Sequence, residues 1–400
     1  MKVFIINVVC GKGSTGHIVV DLYNEILASG NEACIGYGRG NAPQNVQNYR
    51  IGSEMDVLIH AGLSRLTDRQ GRYSKRATKA LLHKIEAYSP DIIHLHNIHG
   101  YYINYEMLFN FLRKYDRPVL WTMHDCWAFT GHCAHYEGVM CDGWSKGCGS
   151  CKYSSVYPKA YMGRNTGDNF SKKKSAFLIP NLMIVTPSHW LKTQISQSFF
   201  RNVPCTIINN GIDLNKFHIV PSDIKEQLGI SGKKMVLGVA SVWTNYKGLA
   251  DFIVLSKRLG SSYAVCMVGL GKKQLKGLPD NMIGIERTES LEMLVKYYSA
   301  ADVFVNLTYE DTFPTTNIEA LACGTPVVTY QSGGSPEIVE GTCGKIIARG
   351  NLDAVVHTIV DEIQEKETYK DSCLRRAGMF RKEDCYRQYM MLYRKIIGEI

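Results

Sequence analysis

The chain has 400 residues, too many for one compact core, and its length points to two or three domains. A composition of 45% hydrophobic, 10% aromatic and 21% charged residues excludes a disordered or fibrous protein. The net charge of +9 favours an acidic partner, such as a nucleotide phosphate, an anionic membrane or a nucleic acid, without choosing among them.

In chain order, the apolar run 1–6 reads as a first buried strand rather than a secretion signal. Asn7 interrupts it and Gly11-Lys12-Gly13 follows without a cleavage-type sequence. No apolar run approaches the roughly 20 residues that cross a bilayer, so the expected compartment is the cytoplasm. Strands are expected over 2–9, 32–37, 92–96, 118–123 and 183–186, with helices over 17–28 and 105–114 between them. Loop residues Pro204 and Asn209-Asn210-Gly211 mark a boundary near 202–216. A second series follows, with strands over 235–239, 264–268, 303–306 and 326–329 and helices over 249–259, 291–299 and 318–322. Tyr386, Tyr389, Leu392, Tyr393 and Ile396 then recur at helical spacing. Strands alternating with helices in this way predict an α/β protein of two doubly wound, Rossmann-like domains in tandem. Two such sheets facing each other would form a cleft at their strand ends, where ligands of this fold class bind.

Several segments carry candidate chemistry. Gly11 and Gly13 lie in a strand-to-helix turn that lacks the spacing of a P-loop; a tight turn and a ligand-lining loop are both open readings. His124-Asp125 ends a strand, and a neutral imidazole there can both donate to and accept from a hydroxyl. His94, His96 and His99 cluster at another strand end, for ligand or for packing. The chain has 13 cysteines, and in a reducing compartment their clustering points to metal or packing rather than disulfides. Cys126 and the candidate structural-zinc set Cys133, Cys141, Cys148 and Cys151 share the loop 126–151. His132 or His135 could replace one ligand, and buried thiols are the competing reading. Arg65, Arg69, Arg72, Lys75, Arg76, Lys79 and Lys84, with Leu63, Leu66, Leu81 and Leu82 interleaved, suit an anionic membrane surface or a solvated helix face. Lys172-Lys173-Lys174 forms a second basic group. In the second half, Pro314 followed by Thr315 and Thr316 reads as a helix start whose N–H groups suit a phosphate. Glu319 stands one turn further in, where a carboxylate can accept both hydroxyls of a ribose.

The stretch from Glu310-Asp311 through Glu319 to Ala322-Cys323-Gly324-Thr325-Pro326-Val327 resembles the donor-site signature of the GT-B-fold retaining glycosyltransferases of family four, the group 1 enzymes. There an acid and a Glu with seven residues between them precede such a run. Lys247-Gly248, Val268-Gly269-Leu270-Gly271 and Gly333-Gly334-Ser335-Pro336-Glu337 match in order, as does Asn209-Asn210-Gly211-Ile212-Asp213 at the boundary. The resemblance implies an acceptor-binding domain at 1–201, a donor-binding domain at 202–380 and a last helix within 381–400 that packs back on the first domain.

The same resemblance implies transfer of a sugar, with retention, from a UDP- or GDP-sugar to a glycan or lipid-linked acceptor. Bacterial surface-polysaccharide synthesis is the expected setting, on or near the inner face of the membrane, and no catalytic metal is expected. Lys247 would neutralise the diphosphate and Glu319 would hold the ribose. Asp311, or Glu310 beside it, would contact the transferred sugar, as would His124, and the Gly11–Gly13 loop would lie near sugar and pyrophosphate. The family's usual Arg before the Lys is absent from Ala240-Ser241-Val242-Trp243, leaving Arg287 as a candidate second cation. Two other readings are a nucleotide-sugar epimerase and a zinc-bearing nucleic-acid-binding protein. The acidic signature opposes the first, and the want of arginine-rich recognition elements opposes the second.

Overall fold

Short β-branched and aliphatic runs, apolar on both faces, build two wholly parallel sheets in the computed structural model, which describes residues 1–149, 151–161 and 165–399. The chain divides into two units, 1–209 together with the chain from Cys385 onward, and 210–384.

The first unit holds β1 (Lys2–Val9), β2 (Glu32–Arg39), β3 (Asn48–Arg50), β4 (Ile92–Leu95), β5 (Val119–Thr122), β6 (Leu182–Thr186) and β7 (Cys205–Ile207), in the order β3-β2-β1-β4-β5-β6-β7. Alternation sends Phe4, Ile6, Val119 and Trp121 to one buried layer and Val3, Ile5 and Leu120 to the other. The helix Lys382–Ile396 supplies Tyr386, Tyr389, Met390 and Tyr393 to that second layer, so its aromatic stripe is core.

The second unit holds β8 (Lys234–Val239), β9 (Tyr263–Val268), β10 (Met282–Ile285), β11 (Val303–Asn306), β12 (Val327–Tyr330) and β13 (Gly344–Ile347), in the order β10-β9-β8-β11-β12-β13. Here too the residues alternate, with Met235, Leu237 and Phe304 in one layer and Val236, Val303 and Val305 in the other.

The edge strands β3, β7, β10 and β13 were not expected, because three or four residues with a half-exposed face carry little hydrophobic pattern. Each sheet reverses its strand order once, between β1 and β4 in the first unit and between β8 and β11 in the second. The loops leaving those strands diverge, and a crevice outside their carboxyl ends is where this architecture takes ligands.

Candidate functional site

In the second unit the segments following β8 and β11, at the reversal point, carry Lys247, Glu310, Asp311, Thr315, Thr316 and Glu319. After β8, a single turn Asn245–Lys247 is capped by Thr244, whose hydroxyl accepts from the Lys247 N–H at 3.3 Å. Gly248 follows at φ +79, and a Cβ there would lie 2.3 Å from the Leu307 carbonyl oxygen. Glycine therefore lets the Lys247 turn press against the end of β11. Lys247 Nζ donates to Asp311 Oδ2 at 2.7 Å and lies 3.5 Å from the Glu310 carbonyl oxygen. Asp311 Oδ1 in turn accepts from the Phe313 N–H at 3.2 Å. The ion pair is partly exposed, so its own contribution to stability is small.

The helix Thr315–Ala322 starts behind Pro314 with no side-chain cap. Its first N–H groups thus project, at the positive end of the dipole, from the loop that carries Asp311. Glu319 Oε2 accepts from the Tyr298 hydroxyl at 2.8 Å, and the Thr315 side chain also hydrogen-bonds the carboxylate. Burial pushes the Glu319 carboxyl above its ordinary value, and these two hydrogen bonds only partly oppose the rise. Lys247 with Asp311 and the Glu310 backbone thus form one set of contacts and Thr315 with Glu319 another, joined along the chain from 310 to 319, with Thr316 partly exposed at the same helix start. Arg287 joins neither: it is exposed on the loop after β10, at the sheet edge beyond β9 and β8. Arg349, which sequence reasoning missed, donates to the Tyr309 carbonyl at 3.3 Å and brings a second cation to the loop bearing Glu310. It follows the edge strand β13, whose weak pattern hid it.

In the first unit the reversal point is built differently. Gly11 and Gly13 both adopt positive φ (+70 and +65) after β1. A Cβ on Gly11 would lie 2.7 Å from Pro43 Cγ, whereas the position of a Cβ on Gly13 is open. The helix Gly13–Ala28 begins behind Lys12, again without a side-chain cap. From β4 and β5 come four histidines. His94 shares hydrogen bonds with the Tyr393 hydroxyl at 2.6 Å and the Thr122 hydroxyl at 2.8 Å, and Tyr389 reaches Thr122 at 3.1 Å. His96 Nδ1 and His124 Nε2 share a hydrogen bond of 2.9 Å with their rings stacked at 14°. Burial pulls His124 down to about 4 and His94 to about 3, so both rings are neutral at pH 7. His99 Nε2 meets Asp125 Oδ2 at 2.6 Å. Burial pushes Asp125 up, but His99 and the Trp127 N–H outweigh it and hold the carboxyl at about 2. The two histidine layers read from the sequence as separate strand ends are therefore joined.

The expected zinc centre is not supported: among the described residues, no three His, Cys, Asp or Glu side chains are arranged to hold a metal ion. Cys133, Cys141, Cys148 and Cys151 instead line one cavity of about 170 Å³ as free thiols. The sulfurs of Cys141, Cys148 and Cys151 each accept from a nearby backbone N–H, of Gly143, Gly131 and Tyr153. His132 is equally committed, to Asp68 at 2.6 Å and the Val156 carbonyl at 3.2 Å. Ser150, inside the Cys-x2-Cys, lies outside the described residues.

The basic segments are also partly structural. Arg72 pairs with Glu106 and Asp168, and buried Lys173 donates to the Trp127 and Thr130 carbonyls while lying 3.6 Å from the Trp127 ring centroid. On the helix Glu54–Thr67, by contrast, Met55, Leu58, Ile59, Leu63 and Leu66 form an exposed apolar stripe. No helix among the described residues is long and apolar enough to cross a membrane.

Residues 16–216, just over half of the chain, match the family model described as Glycosyltransferase Family 4, and residues 233–365 match the one described as Glycosyl transferases group 1. Over 416 aligned positions the chain is 24% identical to the putative colanic acid biosynthesis glycosyl transferase WcaC of Escherichia coli, covering 99% of this chain and 100% of that one. Among solved structures, the sucrose-phosphate synthase of Thermosynechococcus elongatus aligns over 100% of both chains, with a TM-score of 0.74 at 16% identity. Anabaena HepE in complex with UDP aligns over 98% of this chain and 99% of that one, with a TM-score of 0.68 at 15% identity. These relatives favour sugar transfer over the epimerase and nucleic-acid readings.

Proposed function

The chain belongs to glycosyltransferase family 4, with two parallel sheets of the GT-B type, and from that premise we propose the following reaction. A hexosyl group passes, with retention, from a nucleoside-diphosphate sugar to a hydroxyl of a glycan or lipid-linked acceptor in surface-polysaccharide synthesis. One observation carries the donor assignment. A cation (Lys247), an uncapped helix start (Thr315–Thr316) and a ribose-competent carboxylate (Glu319) share one reversal point, with the acid Asp311 hydrogen-bonded to the cation. An anion landing there meets positive charge from the ammonium and the helix N–H groups, which stabilises the leaving diphosphate as charge builds on it. That phosphate then helps take the proton of the incoming hydroxyl. Glu319 accepts both ribose hydroxyls, and Asp311 or Glu310 holds hydroxyls of the transferred sugar once the ligand competes for the Lys247 ion pair.

His124 orients a sugar hydroxyl as a neutral donor–acceptor, and the open backbone around Gly13 admits the donor. UDP is the favoured carrier on the strength of the HepE complex, with GDP the competitor. The first unit binds the acceptor and docks on an anionic membrane through the stripe Met55, Leu58, Ile59, Leu63 and Leu66, beside Arg65 and Arg69. Co-sedimentation with anionic but not neutral vesicles is the expected result, and equal recovery on both would remove the membrane from this reading.

A thermal-shift comparison of UDP, GDP and ADP on the wild type and Glu319→Ala tests the donor site. One nucleotide should raise the melting temperature of the wild type, by about 2–3 kcal/mol of stabilisation at a hundredfold excess over Kd, and leave the variant unmoved. If no nucleotide acts on the wild type, the donor assignment fails.

A further inference from the structure

Two imidazole nitrogens that the chemistry above does not use are buried and point to a shared occupant. His96 Nε2 and His99 Nδ1 have no hydrogen-bond partner among the described protein atoms. The residues are 1% and 7% exposed, so bulk water does not solvate these atoms. Both residues line the same small cavity, together with His124, Asp125 and Trp127, and it measures about 10 Å³. A room of this size, about 10–15 Å³, is what one water needs, provided that it finds at least two polar partners. The opposite nitrogen of each ring is already engaged, His96 Nδ1 by His124 at 2.9 Å and His99 Nε2 by Asp125 at 2.6 Å.

We propose that one bound water bridges His96 Nε2 and His99 Nδ1, completing a hydrogen-bonded chain His124–His96–water–His99–Asp125 in which His96 and His99 are positioning residues for His124. The direction of each bond follows from the chemistry of its ends. Asp125 is held ionised by its neighbours and accepts only, so His99 Nε2 carries the proton and its Nδ1 accepts from the water. The second O–H of the water, or its lone pair, then faces His96 Nε2. When the water donates to His96 Nε2, His96 Nδ1 carries the proton and donates to His124 Nε2. When the water accepts from His96 Nε2–H, the bond runs the other way and His124 Nε2 carries the proton. Each orientation of the water is thus matched to one neutral tautomer of His124, and neither brings net charge into the buried layer. The tautomer so fixed decides whether the far nitrogen of His124 donates to a sugar hydroxyl or accepts from it. This last consequence rests on the role given to His124 in the proposed function; the water and its bonds do not.

The test is a crystal structure of the full chain at about 1.5 Å or better, joined to 15N imidazole shifts. A water within about 2.6–3.2 Å of both nitrogens is expected. Density showing the cavity dry, or the two rings turned to pair directly, overturns the proposal. His99→Phe, which removes the water's acceptor but touches neither His96 nor donor groups, should shift the His124 nitrogen resonances; unchanged resonances overturn the coupling. Should His99→Phe fold poorly, His99→Gln serves, since its amide can still meet the water and should restore the wild-type His124 pattern. In transfer assays His99→Phe should lower kcat about tenfold, the loss of one hydrogen bond, with KM for the donor unchanged. An equal rise in KM would mark a merely structural role. Failure of the wild type to transfer any sugar would fall on the functional reading, because the crystallographic and NMR results involve no substrate.

Discussion

The same architectural point, the reversal of strand order in a parallel sheet, is finished in opposite ways in the two units. Between β8 and β11 lies a partly exposed ion pair, Lys247 on Asp311, with the more buried Glu319 held by Tyr298 and Thr315. Between β1 and β4 and onto β5, the layer is buried and neutral, made of His94, His96 and His124 with tyrosines from the last helix. A diphosphate carries charge that must be met by charge and oriented N–H groups, so the second unit keeps Lys247 partly exposed and ion-paired to Asp311 until a ligand arrives. Sugar hydroxyls need neutral groups able to give and take a hydrogen bond, and burial keeps imidazoles in that state. The topology therefore sets where a ligand goes, and the local dielectric sets which kind of ligand suits the place.

The largest effect should come from the charged site. Lys247→Ala is expected to lower kcat by about 10² to 10³ and to abolish the nucleotide-induced rise in melting temperature. Adding Asp311→Asn separates pairing from phosphate binding. If Lys247 serves only to neutralise Asp311, the double variant regains activity; under the present reading it does not.

The buried site should reveal itself through acid. A histidine held at about 4 in the folded state and near 6.5 when unfolded binds protons only on unfolding in between, so stability falls as pH drops from 6.5 towards 4. From pH 7 to pH 5 the loss should be about 2 kcal/mol for His124, with His94 acting in the same sense. Trp121, Trp127, Trp144 and Trp190 all lie in the first unit, and Trp243 in the second, so urea midpoints followed by tryptophan fluorescence report mainly on the histidine layer. A midpoint that holds steady between pH 7 and pH 5 would contradict the neutral, buried assignment.

The smallest effect should come from the tie between that layer and the end of the chain. Tyr393→Phe leaves buried His94 Nδ1 without its hydroxyl and should cost about 1–2 kcal/mol in the same urea experiment. The nucleotide response of the second unit should be unchanged, and a weakened one would mean that the two sites are coupled.

Much of this was legible in the amino-acid order because it is local. A strand of alternating or continuous apolar residues, a helix starting behind Pro314, and Thr315 and Glu319 one turn apart are set by neighbours within a few residues. The resemblance to the family rests on the same local runs, most of them in the second half. The sequence also placed the cysteines in one loop, yet spacing could not say how four sulfurs are arranged, and here they line one cavity with three of them accepting from backbone N–H groups.

What only the tertiary structure decided are pairings between residues far apart in the chain. His94 finds Tyr393 across 299 positions, His96 finds His124 across 28, and Lys247 finds Asp311 across 64. No periodicity encodes such partners, since they are chosen by strand order and by which face of the sheet each residue occupies. Arg349 was invisible for the same reason: a four-residue edge strand with little apolar pattern delivers it to the acidic loop. Residue chemistry by itself pointed to phosphate, ribose and hydroxyl ligands, and the resemblance to the family supplied the reaction class. Burial and long-range contact decided the protonation state and partner of each group, because dielectric and geometry arise only once the sheets are assembled.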